Sequence, residues 1–129
     1  MDMKLHHIGF VVENIEQSVE IFELIGLKKS GEKVEDLNQN NFLQMMEDSN
    51  GNRIELIEPI DENSTVNKYN KGLHHLAFTT NNEEELLKTI KANRLGKIFT
   101  KDIPAPLFNN KNVSFGYLKN DLLIEIVSK

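Results

Sequence analysis

Leu5-His6-His7-Ile8-Gly9-Phe10 returns later in the chain as Leu73-His74-His75-Leu76-Ala77-Phe78. About fifty residues past each His-His pair comes an apolar run around one carboxylate, Arg53-Ile54-Glu55-Leu56-Ile57 and then Leu123-Ile124-Glu125-Ile126-Val127. A histidine and a glutamate thus recur together at nearly equal offsets. Two copies of one module follow from this, with potential ligands at matching places in each.

The stretches between these landmarks repeat as well. Leu5–Val12 reads as a strand, and Asn14 as the N-cap of a helix with Gln17 in the capping-box place. Ile15, Val19 and Phe22 form that helix's apolar stripe, and Gly26 closes it. Strands are expected over Lys28–Glu35, Phe42–Glu47 and Arg53–Glu58, the last two joined by a tight turn at Asn50-Gly51. The second copy runs in the same order. A strand spans Leu73–Thr80, and Asn82 caps a helix buried through Leu86, Leu87 and Ile90 and ended by Gly96. Strands follow near Lys97–Lys101, Val113–Leu118 and Leu122–Val127. The expected fold class is α+β: two βαβββ modules forming a cupped, barrel-like mixed sheet with helices outside. Residues 1–129 make one domain, with modules over 4–59 and 72–128 and a polar linker over 60–71. In that linker Ser64 is placed to cap a short turn from Thr65 to Tyr69. Pro104-Ala105-Pro106-Leu107-Phe108 is an apolar loop that either lips a binding site or packs on its own domain.

Composition narrows the function. The 129 residues, 39% hydrophobic and 27% charged, are ordinary for a folded globular domain. A net charge of −5 leaves no basic stripe to replace counterions on nucleic acid. The apolar run Ile8–Val12 is too short for an export signal or a membrane span, so a cytoplasmic protein without membrane attachment is expected. There is no cysteine, so any metal must be held by nitrogen and oxygen.

Strand alternation then sorts the candidates. His6, Ile8, Phe10 and Val12 share a bulky face that suits the helix, leaving His7, Gly9 and Val11 on the other. In the second copy Leu76 and Phe78 side with His74, against His75 and Ala77. Each second histidine has a small residue two places on, which leaves room beside it. Ile54 and Leu56, and Ile124 and Ile126, form packed faces from which Glu55 and Glu125 point away. A glutamate alternating with aliphatics is commonly the wet side of a strand. Four such residues in a repeated His–Glu pattern argue instead for one divalent ion held by His7, Glu55, His75 and Glu125, with nickel, cobalt, zinc, manganese and ferrous iron all compatible. His6 and His74 are read as structural, Glu47 and Glu58 as solvated.

On these residues the chain resembles the vicinal oxygen chelate superfamily, which includes glyoxalase I and methylmalonyl-CoA epimerase, over nearly all of Leu5–Val127. Arg53-Ile-Glu-Leu-Ile-Glu-Pro59, Ser64-Thr-Val-Asn-Lys68 and Gly72-Leu-His-His-Leu-Ala-Phe78 are nearer to the epimerase branch. The resemblance implies ligands at His7, Glu55, His75 and Glu125, a homodimer, and a metal-dependent isomerase or epimerase. Its substrate would be a small molecule, an acyl-CoA thioester or a glutathione hemithioacetal. Glu125 would take a proton from the carbon beside a chelated carbonyl, and Glu55 would return it. A lactoylglutathione lyase of the glyoxalase I type and a non-enzymatic drug-binding protein are the alternatives. The chain departs from the epimerases where they carry a glutamate just before the third strand. Straight counting puts Asn38 there, and a shifted loop would bring in Asp36 or Glu35. Lys28, Lys29, Lys68, Lys71, Lys97, Lys101 and Lys111 are scattered cations that either meet a CoA phosphate or cover a soluble surface.

Overall fold

The structure is a computed structural model that describes residues 1–67 and 71–129. The chain divides into two compact units. One is His7–His74; the other joins Met1–His6 to His75–Lys129. The ends of two strands therefore belong to the unit of the other repeat.

In the first unit, strand β1 (Met3–Val11, with His7 onwards in this unit) leads to helix α1 (Ile15–Leu24). Strands β2 (Lys28–Lys29), β3 (Val34–Asp36), β4 (Asn41–Glu47) and β5 (Arg53–Pro59) follow. The strand order is β2-β4-β5-β1, with β3 also on β4. β5 runs parallel to β1, and the other pairs are antiparallel. Asn14 caps α1 as expected, its side chain accepting from the Gln17 backbone N–H at 2.8 Å. A second acceptor comes from the sheet, because Glu58 takes the Ile15 N–H at 2.7 Å. Glu58 is therefore not a solvated residue: it satisfies a donor at the positive end of α1. Ile15 and Val19 pack on Met46 and Leu56, with Phe10, Val12, Phe22 and Ile54 against them.

The second unit contains β6 (Gly72–Thr80, from His75), α2 (Glu83–Ala92), β7 (Gly96–Ala105), β8 (Lys111–Leu118) and β9 (Leu122–Val127). Its order is β6-β9-β8-β7, with β6 and β9 parallel and the rest antiparallel. Asn82 caps α2 by accepting from the Glu85 N–H at 3.0 Å. Leu86 and Ile90 pack on Ile124 and Ile126. The α+β class and the repeated order of a strand, a helix and further strands stand as expected.

Local geometry departs from the expected course at Gly31, at Gly96 and over Pro104–Phe108. The single strand expected over Lys28–Glu35 is broken in two around Gly31, whose φ of +80° turns the chain between β2 and β3. Gly26, at φ +108°, does terminate α1. Its counterpart Gly96 does not end α2. The left-handed residue there is Arg94, at φ +53°, and Gly96 instead lets β7 approach β8, where a Cβ would meet the Tyr117 carbonyl oxygen at 2.0 Å. The stretch expected as an irregular apolar loop is ordered: Pro104 and Ala105 finish β7 and Pro106–Phe108 form a 3-10 turn, with Ala105 buried and Phe108 meeting His6 edge to face at 5.0 Å within the same unit. Ser64 accepts from the Val66 N–H at 3.1 Å, so it caps the start of its turn. Lys68 and Tyr69, the rest of that expected turn, lie outside the described residues.

Candidate functional site

Each unit brings one histidine and one glutamate together. In the first, His7 Nε2 stands 3.6 Å from Glu55 Oε1. In the second, His75 Nε2 stands 3.6 Å from Glu125 Oε1. All four side chains are deeply buried, from 1% exposure at His7 to 4% at Glu55. The commoner reading of such glutamates, as the wet edge of an amphipathic strand, does not hold here.

The register explains how the pairs form. Gly9 lies opposite Glu55 in the parallel β1–β5 pair, and Ala77 lies opposite Glu125 in β6–β9. On the other side each glutamate faces a bulky apolar residue, Met45 for Glu55 and Phe115 for Glu125. A small neighbour on one flank leaves space for the carboxylate, and the large one on the other keeps water out. Phe115 also meets the His75 ring edge to face, with centroids 5.9 Å apart. Since Ile124 and Ile126 pack on α2, Glu125 between them points to the opposite side of the sheet, as the alternation requires.

A separation of 3.6 Å is too long for a hydrogen bond between the two atoms. It fits two ligands of one ion: bonds of about 2.1 Å at angles between about 90° and 120° put ligand atoms about 3.0 to 3.6 Å apart. Imidazole nitrogen with carboxylate oxygen, and no thiolate, is a donor set for borderline and hard divalent ions. Each half-site therefore fits a metal on its own geometry.

Asp36 was one of two candidates for the place where counting gave Asn38. Of the three residues it is the one inside: Asp36 is 1% exposed, whereas Glu35 and Asn38 are exposed. The loop turns back on Asp36, whose Oδ1 accepts the Asn38 N–H at 3.0 Å and whose Oδ2 accepts from Gln39 Nε2 at 3.4 Å. Burial raises its pKa above the ordinary aspartate value. Hydrogen bonds from the Asn38 and Gln39 backbone N–H groups oppose that shift, and the charge of Glu55 adds to it. Counting along the sequence does not separate the three, because the break at Gly31 between β2 and β3 offsets the residues that follow it. Of the scattered lysines, Lys97 and Lys101 line one groove beside α2, Lys29 lines a groove beside α1, and Lys68 lies outside the described residues.

Residues 6–115 match the model of the Glyoxalase/Bleomycin resistance protein/Dioxygenase superfamily, and the chain belongs to that superfamily. Among solved structures it is similar to a hypothetical protein from Bacillus halodurans C-125, at 26% identity and TM-score 0.83 over 100% of this chain and 96% of that one. It is also similar to a Streptomyces coelicolor methylmalonyl-CoA epimerase variant in complex with 2-nitronate-propionyl-CoA, at 20% identity and TM-score 0.78, over 98% of this chain and 96% of the other. The methylmalonyl-CoA epimerase of Mycobacterium tuberculosis matches at 19% identity and TM-score 0.78, over 96% and 86%. No curated protein matches the sequence. Among the described residues, no helix is long and apolar enough to cross a membrane.

Proposed function

We propose that His7, Glu55, His75 and Glu125 hold one divalent ion per chain, and that the protein is a proton-transfer isomerase or epimerase of the methylmalonyl-CoA epimerase type. The observation that carries this reading is one buried His–Glu pair recurring at the same 3.6 Å separation in both repeats. Membership of the superfamily supports it, and so do epimerases among the similar folds. The bound ion would supply Lewis acidity, stabilising the enolate left when a proton departs beside a chelated carbonyl.

The chain's own part is to hold and move that proton. Glu125 takes it from the carbon, flanked by Ala77 and Phe115 in a setting that excludes competing water. Proton return needs a second acid in the other repeat, and the first unit offers two. Glu55 stands between Gly9 and Met45. Asp36 is buried at the end of β3, separated from β5 by β4, and is held by its own loop. We assign the return to Asp36, which leaves Glu55 as a ligand; a carboxyl that keeps its proton past the usual aspartate range suits the work of a general acid. The substrate in this reading is an acyl-CoA thioester.

The test is metal content of the untagged protein, wild type beside His75→Ala and Glu125→Ala, followed by solvent-deuterium exchange into methylmalonyl-CoA. About one ion per chain, lost in both variants, with deuterium entering the substrate, supports the proposal. A wild-type protein that takes up no nickel, cobalt or zinc on reloading overturns the enzyme reading. Exchange into the glutathione hemithioacetal of methylglyoxal, with none into methylmalonyl-CoA, would replace the epimerase with a glyoxalase I-type lyase.

A further inference from the structure

The second unit has a groove of about 570 Å³ between α2 and the edge strand β7. Its floor is apolar, from Leu87, Ile90 and Ile98, and its rim carries five cations: Lys91, Arg94, Lys97, Lys101 and Lys119. No carboxylate lines it, and among the described residues none of the five makes an ion pair. Two features build it. Register shifts in β7, between Ile98 and Thr100 and again before Ile103, bring Ile98 and Lys101 to the same groove although they differ in strand parity. The Lys119 N–H donates to the Leu95 carbonyl at 2.7 Å, which fixes the far wall against the end of α2.

The equivalent groove in the first unit shows that the fold does not dictate this charge. That groove is of similar size, about 610 Å³, and carries Glu16, Glu20, Glu23 and Glu32 beside Lys29 and Lys33. There Lys33 is paired with Glu16 at 2.7 Å. Five unpaired cations around one apolar floor repel one another, in a chain whose net charge is −5. An anion of matching size relieves that repulsion.

We propose that the groove between α2 and β7 binds a phosphorylated organic anion of nucleotide size, its phosphates on the lysine and arginine rim and its flat body on Leu87, Ile90 and Ile98. The volume suits such a ligand. The site is separate from the His75–Glu125 pair, because Ile98, Ile90 and Ile124 lie on the helix-covered face of the sheet and Glu125 points away from it.

The experiment is calorimetric titration of the full chain with ADP, with pyrophosphate as the bare anion and adenosine as the uncharged body, and amide shifts mapped by NMR. ADP is expected to bind one per chain more tightly than either fragment, to shift the amides of residues 95–98 and 119, and to weaken as salt rises. The double variant Lys97→Glu/Lys101→Glu, exposed on β7, is expected to weaken ADP about tenfold or more. Leu87→Ser should abolish the advantage of ADP over pyrophosphate. Because ADP also ligates divalent ions, Glu125→Gln is titrated alongside, and unchanged affinity there keeps the two sites distinct. No saturable ADP binding at millimolar concentration overturns the proposal. So does equal binding by the charge-reversed variant, ADP no tighter than pyrophosphate, or loss of binding in Glu125→Gln.

Discussion

Glu55 Oε1 lies 3.6 Å from His7 Nε2, and the same two atom types stand 3.6 Å apart at His75 and Glu125. Each glutamate has a small residue beside it in a parallel strand and a large apolar one beside it in an antiparallel strand. Both the pairing and its surroundings have been duplicated, so a change in one repeat should have a counterpart of the same sign in the other.

Filling the space beside Glu125 tests this packing. Ala77 is fully buried, and Ala77→Leu should destabilise the fold by about 1–3 kcal/mol through overpacking. It should also displace the Glu125 carboxylate and lower metal uptake. Urea unfolding and metal analysis of the same preparation read both effects. Uptake unchanged at wild-type stoichiometry would show that the small residue is not what makes room for the carboxylate.

Asp36 makes stability depend on pH in a defined direction. Its folded pKa is raised, mainly by burial, so the folded state binds the proton more tightly than the unfolded chain. The stability from this group is complete below the unfolded aspartate pKa of about 3.9 and is lost as pH rises through the higher folded value. Asp36→Asn keeps a side-chain oxygen for the Asn38 N–H and removes the titration. The urea midpoint of the variant should therefore rise relative to wild type between about pH 4 and about pH 7. A constant difference across that range would refute the shift. In the exchange assay the same variant should lose proton return while keeping its metal.

Glu58→Ala removes an acceptor from the first turn of α1 and leaves the Ile15 N–H without it. A loss of about 1–3 kcal/mol is expected. Asn14→Ala, which removes the cap on Gln17, should cost about 1 kcal/mol. Thermal or urea unfolding measures both, and an unaltered midpoint for Glu58→Ala would mean that water replaces the carboxylate at no cost.

Gly96→Ala places a Cβ against the Tyr117 carbonyl oxygen at 2.0 Å, with Leu118 Cα at 2.6 Å. Backbone cannot yield as a side chain does, so β7 must move away from β8. We expect a loss of about 2 kcal/mol or more, and faster amide exchange along β7. A variant as stable as wild type would show that the strands have slack at this crossing.

Local signals carried the two helices. Asn14 and Asn82 cap them, and the aliphatic spacing of Ile15 with Val19 and of Leu86 with Ile90 named the buried sides. The four ligand candidates were legible for a different reason: their repetition distinguished them from ordinary polar strand residues. What escaped the sequence depends on approach between distant segments. Glu58 looked wet because nothing local shows that the start of α1 lies above it. Gly96 looked like a helix terminator because its true constraint, the Tyr117 carbonyl, is a neighbour across strands. The burial of Asp36 rather than Glu35 or Asn38 was not legible, since a break in an edge strand changes register without changing composition. The basic groove draws on α2, β7 and the turn after β8, and no single stretch of sequence holds it.

Met1–His6 belongs with His75–Lys129 rather than with the residues that follow it. Asp2 N–H donates to Asn81 Oδ1 at 2.9 Å, and Met1 reaches Glu85. During synthesis residues 1–6 leave the ribosome long before residues 75–129 of their unit exist. The repeat coded earlier can begin to condense while the segment before it, with Met3 and Leu5 in it, waits for a partner coded later. A nascent chain arrested after residue 74 should therefore leave Met1–His6 open to proteases, and synthesis through residue 129 should protect them.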